Sequence, residues 1–187
     1  ISEIRPAGAV INYRYDEAGA LLTRSMPQVL MEKHSYNNAG QKTSSSLIGS
    51  DGVTTRHYSY NYDQGLLASI SDPRGFQTSI TYDAWMHPVT VSSSGSAIPE
   101  QNQVTSYSYD LQGLLASVAQ QYSDPSTVSS TLVSRIYDGY GQLTSETISL
   151  NGTNTAVWSQ AWDGAGRRTA LNWNLDNKGK GAQYAFS

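Results

Sequence analysis

The chain is 187 residues long with a formal charge of −3, 14% charged and 38% hydrophobic residues, and no cysteine. That composition excludes disulfides, thiolate metal sites and a cysteine nucleophile, and it leaves no basic footprint for nucleic acid. Thirteen Tyr against two Phe, 16 Gly and abundant Ser and Thr favour short strands and turns over helices.

Ile1–Val10 has neither the basic start nor the apolar stretch of a signal peptide. The segment opens on a strand just before a Pro6-x-Gly8 turn, and a second strand then leads to Tyr15-Asp16. From there an aromatic-Asp pair followed by Gly recurs along the chain. Tyr15-Asp16 precedes Gly19, Tyr36-Asn37 precedes Gly40, and Tyr62-Asp63 precedes Gly65. Tyr82-Asp83 has Met86 where Gly is expected. Tyr109-Asp110 then precedes Gly113, Tyr137-Asp138 precedes Gly141, and Trp162-Asp163 precedes Gly166. Successive members lie about 20–28 residues apart, within the range of repeat architectures.

A second turn lies between members. "RPAGAVINYRYD" (5–16) and "DPRGFQTSITYD" (72–83) superpose without a gap, matching Pro6 to Pro73 and Gly8 to Gly75. Each unit is therefore two strands: strand, Asp-x-x-Gly turn, strand, Pro-x-Gly turn. The first turn is nearly constant in length. The second varies, as in "SSSGSAIPEQNQ" (92–103), "SDPSTVSS" (123–130) and "NGTNT" (151–155). Variable loops of this kind belong at the surface.

Each motif position has a physical reason. Asp suits the first position of a type I turn, where its carboxylate caps backbone N–H groups. Gly supplies the positive φ that closes such a hairpin as a G1 bulge. Before the Asp, Tyr alternates with polar residues, as at Tyr58, Tyr60 and Tyr62, which puts the rings on one strand face. Two residues after Gly stand Leu21, Leu67, Leu115 and Leu143, each expected opposite its Tyr. Such a cross-strand pair contributes ~0.2–1 kcal/mol. Lys42 and Arg168 take the Leu position, Asn37 replaces Asp, and the Tyr62 unit is one residue short. These units are expected to form less regular hairpins. The chain closes on "AQYAFS" (182–187), a strand that should lead to another aromatic-Asp pair. We expect both ends to cut through the repeat, making residues 1–187 one array of about seven hairpin units.

Tyr-Asp-x-x-Gly-x-Leu, then Asp-Pro-x-Gly, then Tyr-x-Tyr-Asp resembles the YD repeat of Rhs proteins, of the B and C subunits of bacterial Tc toxins, and of teneurins. The likeness is closest at 60–83, 107–118 and 137–148 and extends over nearly the whole chain. It implies an all-β, antiparallel sheet of consecutive hairpins curving into a spiral shell segment. A closed barrel or propeller-like sheet is the alternative, though unequal repeat lengths argue against strict symmetry. In toxin members the shell encloses a C-terminal toxic domain. The resemblance therefore implies a secreted or cell-surface bacterial protein whose partners are the rest of the shell and an enclosed toxin. The Asp-rich autoproteolytic core segment of many members is not found here, so no protease residues are carried over.

Other chemistry is thinly represented. His34, His57 and His87 have no metal-ligand spacing and read as polar strand residues. The repeated Asp residues fit no calcium-loop pattern and read as turn caps. Glu3, Glu17, Glu32, Glu100 and Glu146 suggest no facing carboxylate pair, and no Gly-x-Ser-x-Gly elbow is present. Trp85, Trp158, Trp162 and Trp173 are expected to pack on the sheet, with stacking on sugar rings as the alternative. The expectation is a structural wall with no catalysis, cofactor, metal, nucleic-acid partner or membrane-spanning helix. A surface adhesion or carbohydrate-binding module is the second reading. Unpaired edges at Ile4–Tyr15 and Gly181–Ser187 are expected to promote self-association.

Overall fold

The structure is a computed structural model that describes residues 2–4, 10–95, 102–123, 128–175 and 180–185. All described regular structure is β, and strand order in the sheet is the order of the chain, from the first strand to the sixteenth. Each strand is antiparallel to the neighbour with which its register is given, the pattern of consecutive hairpins that the repeat predicts. Among the described residues no helix is long and apolar enough to cross a membrane.

The described residues through Ser79, with Gly95, form one compact unit. Its strands are β1 (Ser2–Ile4), β2 (Val10–Tyr15), β3 (Leu21–Met26), β4 (Leu30–Tyr36), β5 (Lys42–Gly49), β6 (Thr54–Asp63), β7 (Leu66–Ser71) and the start of β8 (Gln77–Tyr82). Ile80–Ser94 and the described residues from 102 onward form the other. They carry the end of β8, then β9 (Pro88–Ser94), β10 (Gln103–Tyr109), β11 (Leu115–Ser123), β12 (Val128–Tyr137), β13 (Leu143–Leu150), β14 (Thr153–Trp162), β15 (Arg168–Leu175) and β16 (Lys180–Ala185).

Little is fully buried within either unit. Among the described residues the buried apolar side chains are Ile11 and Phe76 in the first unit and Ala156 in the second. Most strand residues are half-buried on both faces. Cohesion therefore comes from ladder hydrogen bonds and cross-strand pairs more than from a central core. Phe76 is held under Gly95, where an added Cβ would lie 2.7 Å from the ring, and Arg74 lies 5.5 Å over its centroid.

The variable turns are short wherever they are described. Asn151 and Gly152, at φ 49° and 77°, form a two-residue turn between Leu150 and Thr153. Positive φ at both positions defines a type I′ hairpin, which suits the twist of the flanking strands. Asp72-Pro73-Arg74-Gly75 closes β7 onto β8 with the same bonds as the Asp-x-x-Gly turns: the Gly75 N–H donates to the Asp72 carbonyl, and the Asp72 N–H to the Phe76 carbonyl. The two turn signals of the sequence are thus one turn type, with Pro73 at the position where its fixed φ is an advantage. Pro6, Gly8 and the interiors of the 92–103 and 123–130 loops lie outside the described residues, as does part of each expected association edge.

Candidate functional site

Asp makes the turn. Its Oδ1 accepts the N–H groups two and four residues on, at 2.8 and 2.9 Å for Asp110 and at 2.9 and 2.9 Å for both Asp138 and Asp163. Asp16 accepts the Ala20 N–H at 2.8 Å. Asp83 accepts those of Trp85 and His87 at 2.8 and 2.9 Å. Asn37 does the same with its amide oxygen, at 3.0 and 3.0 Å, so the cap does not need the charge. Gly19, Gly40, Gly75, Gly113, Gly141 and Gly166 all take positive φ, between 76° and 84°. Met86 adopts φ 68° in the same place, a conformation that costs a side-chain-bearing residue about 1–2 kcal/mol.

The short unit departs from the expected pattern. Gln64 and Gly65 have φ 47° and 84°, and Asp63 pairs with Leu66 as a ladder residue. It is a type I′ hairpin, and Asp63 ends the strand instead of capping the turn. The expectation of irregular hairpins in the degenerate units is corrected. Lys42 pairs with Tyr36, Arg168 with Trp162 and Leu67 with Tyr62, in the register that Leu21, Leu115 and Leu143 keep with Tyr15, Tyr109 and Tyr137. Register depends on backbone bonds and turn geometry, which the side chain at that position does not alter.

Beyond the aromatic pair every one of these ladders slips by one residue. Tyr109 faces Leu115, yet Ser108 faces Ser117, which leaves Ala116 as the extra residue of a bulge. Leu22, Thr43, Ala68, Thr144 and Thr169 hold the equivalent place. The slip breaks strand alternation and re-aims the next residues of the strand.

A second recurrent feature has no sequence motif. The Tyr36 hydroxyl donates to the Leu21 carbonyl at 3.0 Å, and Tyr62 donates to Lys42 at 2.9 Å. Tyr109 donates to Pro88 at 2.9 Å, and Tyr137 to Leu115 at 3.0 Å. Trp162 donates through its indole N–H to Leu143 at 2.9 Å. The acceptor is each time the carbonyl two residues past the preceding turn's positive-φ residue. The aromatic of one hairpin is thus fastened to the residue that faces, or stands in the place facing, the aromatic of the hairpin before. Each bond contributes about 0.5–1.5 kcal/mol. A ring with a polar tip is required, which accounts for Tyr over Phe and for Trp as the substitute. Because only a carbonyl is needed, Pro88 serves as well as Leu. Tyr15, 42% exposed, stacks on Tyr13 with centroids 6.5 Å apart.

One open cleft, of about 800 Å³, lies within the second unit between the 83–89 and 107–113 segments. Trp85, His87, Tyr107 and Tyr109 line it together with Asp83 and Asp110. The His87 and Tyr109 rings meet at 4.6 Å, and His87 Nδ1 lies 3.2 Å from Asp83 Oδ2. Partial burial opposes ionisation of Asp83. The backbone N–H groups of His87 and Trp85 and the His87 ring outweigh it, and hold the carboxyl below its ordinary value. Partial burial, then the Asp83 charge, raises the Tyr109 phenol.

Among the described residues no three His, Asp or Glu side chains converge as a metal site would require. His34 and His57 lie on strands, each beside a Ser hydroxyl at 3.1 and 2.9 Å. Trp158 and Trp173 face each other across β14 and β15 and are half-buried, as packing predicts. Trp85 does not pack: it stands at a hairpin tip and is 79% exposed.

No protein-family model and no curated protein sequence matches the chain. Solved structures do. The Tc complex TcdB2-TccC3-TEV aligns over 95% of this chain and 12% of its own, at 15% identity and a TM-score of 0.49. The Photorhabdus luminescens Tc holotoxin pore aligns over 96% of this chain and 13% of its own, at 16% identity and 0.46. A porin-like protein from Bacteroides vulgatus aligns over 95% of this chain and 93% of its own, at 10% identity and 0.41. The chain thus spans about an eighth of the Tc chains it resembles. Likeness of this degree belongs equally to toxin complexes and to a porin-like protein, and it assigns no function.

Proposed function

We propose that the chain is a structural wall: a β-shell segment of an Rhs- or Tc-type polymorphic toxin, with no catalysis of its own, that helps enclose a toxic domain. Its partners in this reading are further repeats of the same shell and the enclosed domain, and the assembly is secreted or displayed at a bacterial surface. One observation carries the reading. The recurrent Asp, Gly and aromatic residues are, in most units, occupied in making a turn or in fastening one hairpin to the previous one, as a stacked repeat requires. The YD-like spacing of those residues supports the choice of family. The test is to sequence the coding DNA on both sides of the segment. Further YD units followed by a variable C-terminal domain are expected. A membrane anchor without a variable tail would overturn the reading.

A surface-binding module is the second reading, and exposed side chains at the hairpin tips of the second unit favour it. Trp85 is 79% exposed, Tyr140 92% and Leu111 fully so; the fourth motif tip of that unit carries Ala165, and the tips of the first unit carry Ala18, Ala39 and Gln64. Retention on a glycan array that is lost in Trp85→Ala would support this reading, and no retention would remove it.

A further inference from the structure

The cleft between the 83–89 and 107–113 segments shares Trp85 and Leu111 with the second reading, but its charges and its other rings enter neither. Its aromatic lining comprises Trp85, Tyr107, Tyr109 and His87, and Trp85 presents its ring to solvent. Its charges are the carboxylates of Asp83 and Asp110. Basic residues are missing over a long stretch of sequence on either side: from Gly75 to Ser134 there is no Lys or Arg, while Asp83, Glu100, Asp110 and Asp124 lie within it. The Asp and Glu charges of this stretch are thus unopposed by Lys or Arg within it, and the His87 ring faces Asp83 at 3.2 Å. We propose that this cleft binds an organic cation, an alkylammonium or guanidinium group, between the aromatic faces and within the field of the two carboxylates.

Three arguments favour a cation over a neutral sugar. Ring faces carry negative potential and attract ammonium and guanidinium groups, most strongly at Trp. The carboxylate oxygens that would take a sugar's hydroxyls are largely committed. Asp83 accepts two backbone N–H groups on Oδ1 and faces His87 on Oδ2, and Asp110 accepts two on Oδ1. A cation needs the field of those carboxylates and no vacant lone pair, and Asp83 is held ionised by its partners. The volume, about 800 Å³, accommodates a small ligand with room to spare.

The test uses the 187-residue chain with tetramethylammonium chloride and N-acetyl-arginine amide as separate probes, at constant ionic strength. tert-Butanol serves as the neutral isostere of the first, and N-acetylglucosamine as the sugar control. The readout is the Trp85 indole N–H signal in NMR, assigned with Trp85→Phe. We expect saturable, millimolar binding of at least one cation and none by tert-butanol. Trp85→Ala should weaken it about two- to fivefold, the size of a cation–π contact at an exposed ring. Asp110→Asn should weaken it several-fold while the turn stays folded, because Asn37 makes the same cap with an amide. Tighter binding of tetramethylammonium marks small quaternary ammonium ligands, and tighter binding of the arginine amide marks basic peptide segments. Either result upholds the proposal. Equal binding of tert-butanol, tighter binding of N-acetylglucosamine, unchanged affinity in both variants, or no saturable shift with either cation at tens of millimolar would overturn it.

Discussion

The hairpin at Tyr62 and the hairpin at Tyr109 solve one problem with different turns. The first uses two residues, Gln64 and Gly65, both at positive φ. The second uses Asp110 as a double cap and Gly113 at φ 80°. One residue separates them in length, and Asp63 has lost the capping role that Asp110 keeps. Past the turn the two hairpins are nevertheless alike. Tyr62 faces Leu67 and Tyr109 faces Leu115, a one-residue slip comes next, and each hydroxyl reaches the preceding hairpin at 2.9 Å. The turn can therefore vary as long as it delivers the aromatic to its register. The feature that recurs from unit to unit is the fastening between hairpins.

The largest effect that would break this equivalence lies in the backbone. Gly65→Ala and Gly113→Ala should each destabilise by about 1–2 kcal/mol, since both require positive φ. No atom crowds an added Cβ at Gly65, and only His87 Cε1, 3.6 Å away, approaches one at Gly113, so the cost is conformational in both. Denaturant midpoints measure it, and a large difference between the two would mean that the turns are not equivalent. Met86→Gly should stabilise by about 0.5–1 kcal/mol, the strain at φ 68° less the extra freedom of Gly in the unfolded chain. A loss of stability would show that the Met86 side chain makes a contact that matters. Inserting one residue after Gln64 should convert the short turn to the longer kind and shift stability by less than about 0.5 kcal/mol, as a tolerated surface change does.

Acid offers a smaller effect, at the capped turns of Asp163 and Asp72. The Arg167 backbone N–H and guanidinium, helped by the Ala165 N–H, outweigh partial burial and hold the Asp163 carboxyl below its ordinary value. At Asp72, partial burial is outweighed by Arg74 and the Phe76 N–H. A carboxyl depressed in the folded state contributes stability that is fully present above its unfolded value, about 3.9, and is lost as pH falls through the folded value. Melting temperature should thus be level from neutrality to about pH 4 and fall below it. Asp163→Asn, which keeps the amide cap seen at Asn37, should flatten part of that fall. A curve unchanged in Asp163→Asn would remove Asp163 from the acid response.

Much of the fold is legible in the residues. Asp, Gly and the alternating Tyr mark turn, positive φ and strand face, and Leu at a fixed offset marks the facing position. The fastening is not legible, because its acceptor is a backbone carbonyl 15–22 residues away that any residue can supply. Only the excess of Tyr over Phe hints at a polar tip in use. The one-residue slip has no signature either, since Leu22, Thr43 and Ala116 share no property. Gln64 at positive φ escapes a sequence reading because the conformation is rare outside Gly, Asn and Asp. Trp85 has the size and apolarity of a packing residue, yet its place inside the turn, two residues past Asp83, is what exposes it.

A set of hydroxyl deletions puts the fastening itself to the test. Tyr36→Phe, Tyr62→Phe, Tyr109→Phe and Tyr137→Phe keep the ring and remove the bond to the preceding hairpin. Tyr140→Phe and Tyr184→Phe, at exposed positions, serve as controls. We expect a loss of about 0.5–1.5 kcal/mol at each motif position, similar at Tyr62 and Tyr109 despite their different turns. Motif variants no less stable than the wild-type chain, or losses confined to one kind of turn, would contradict a fastening shared by these hairpins.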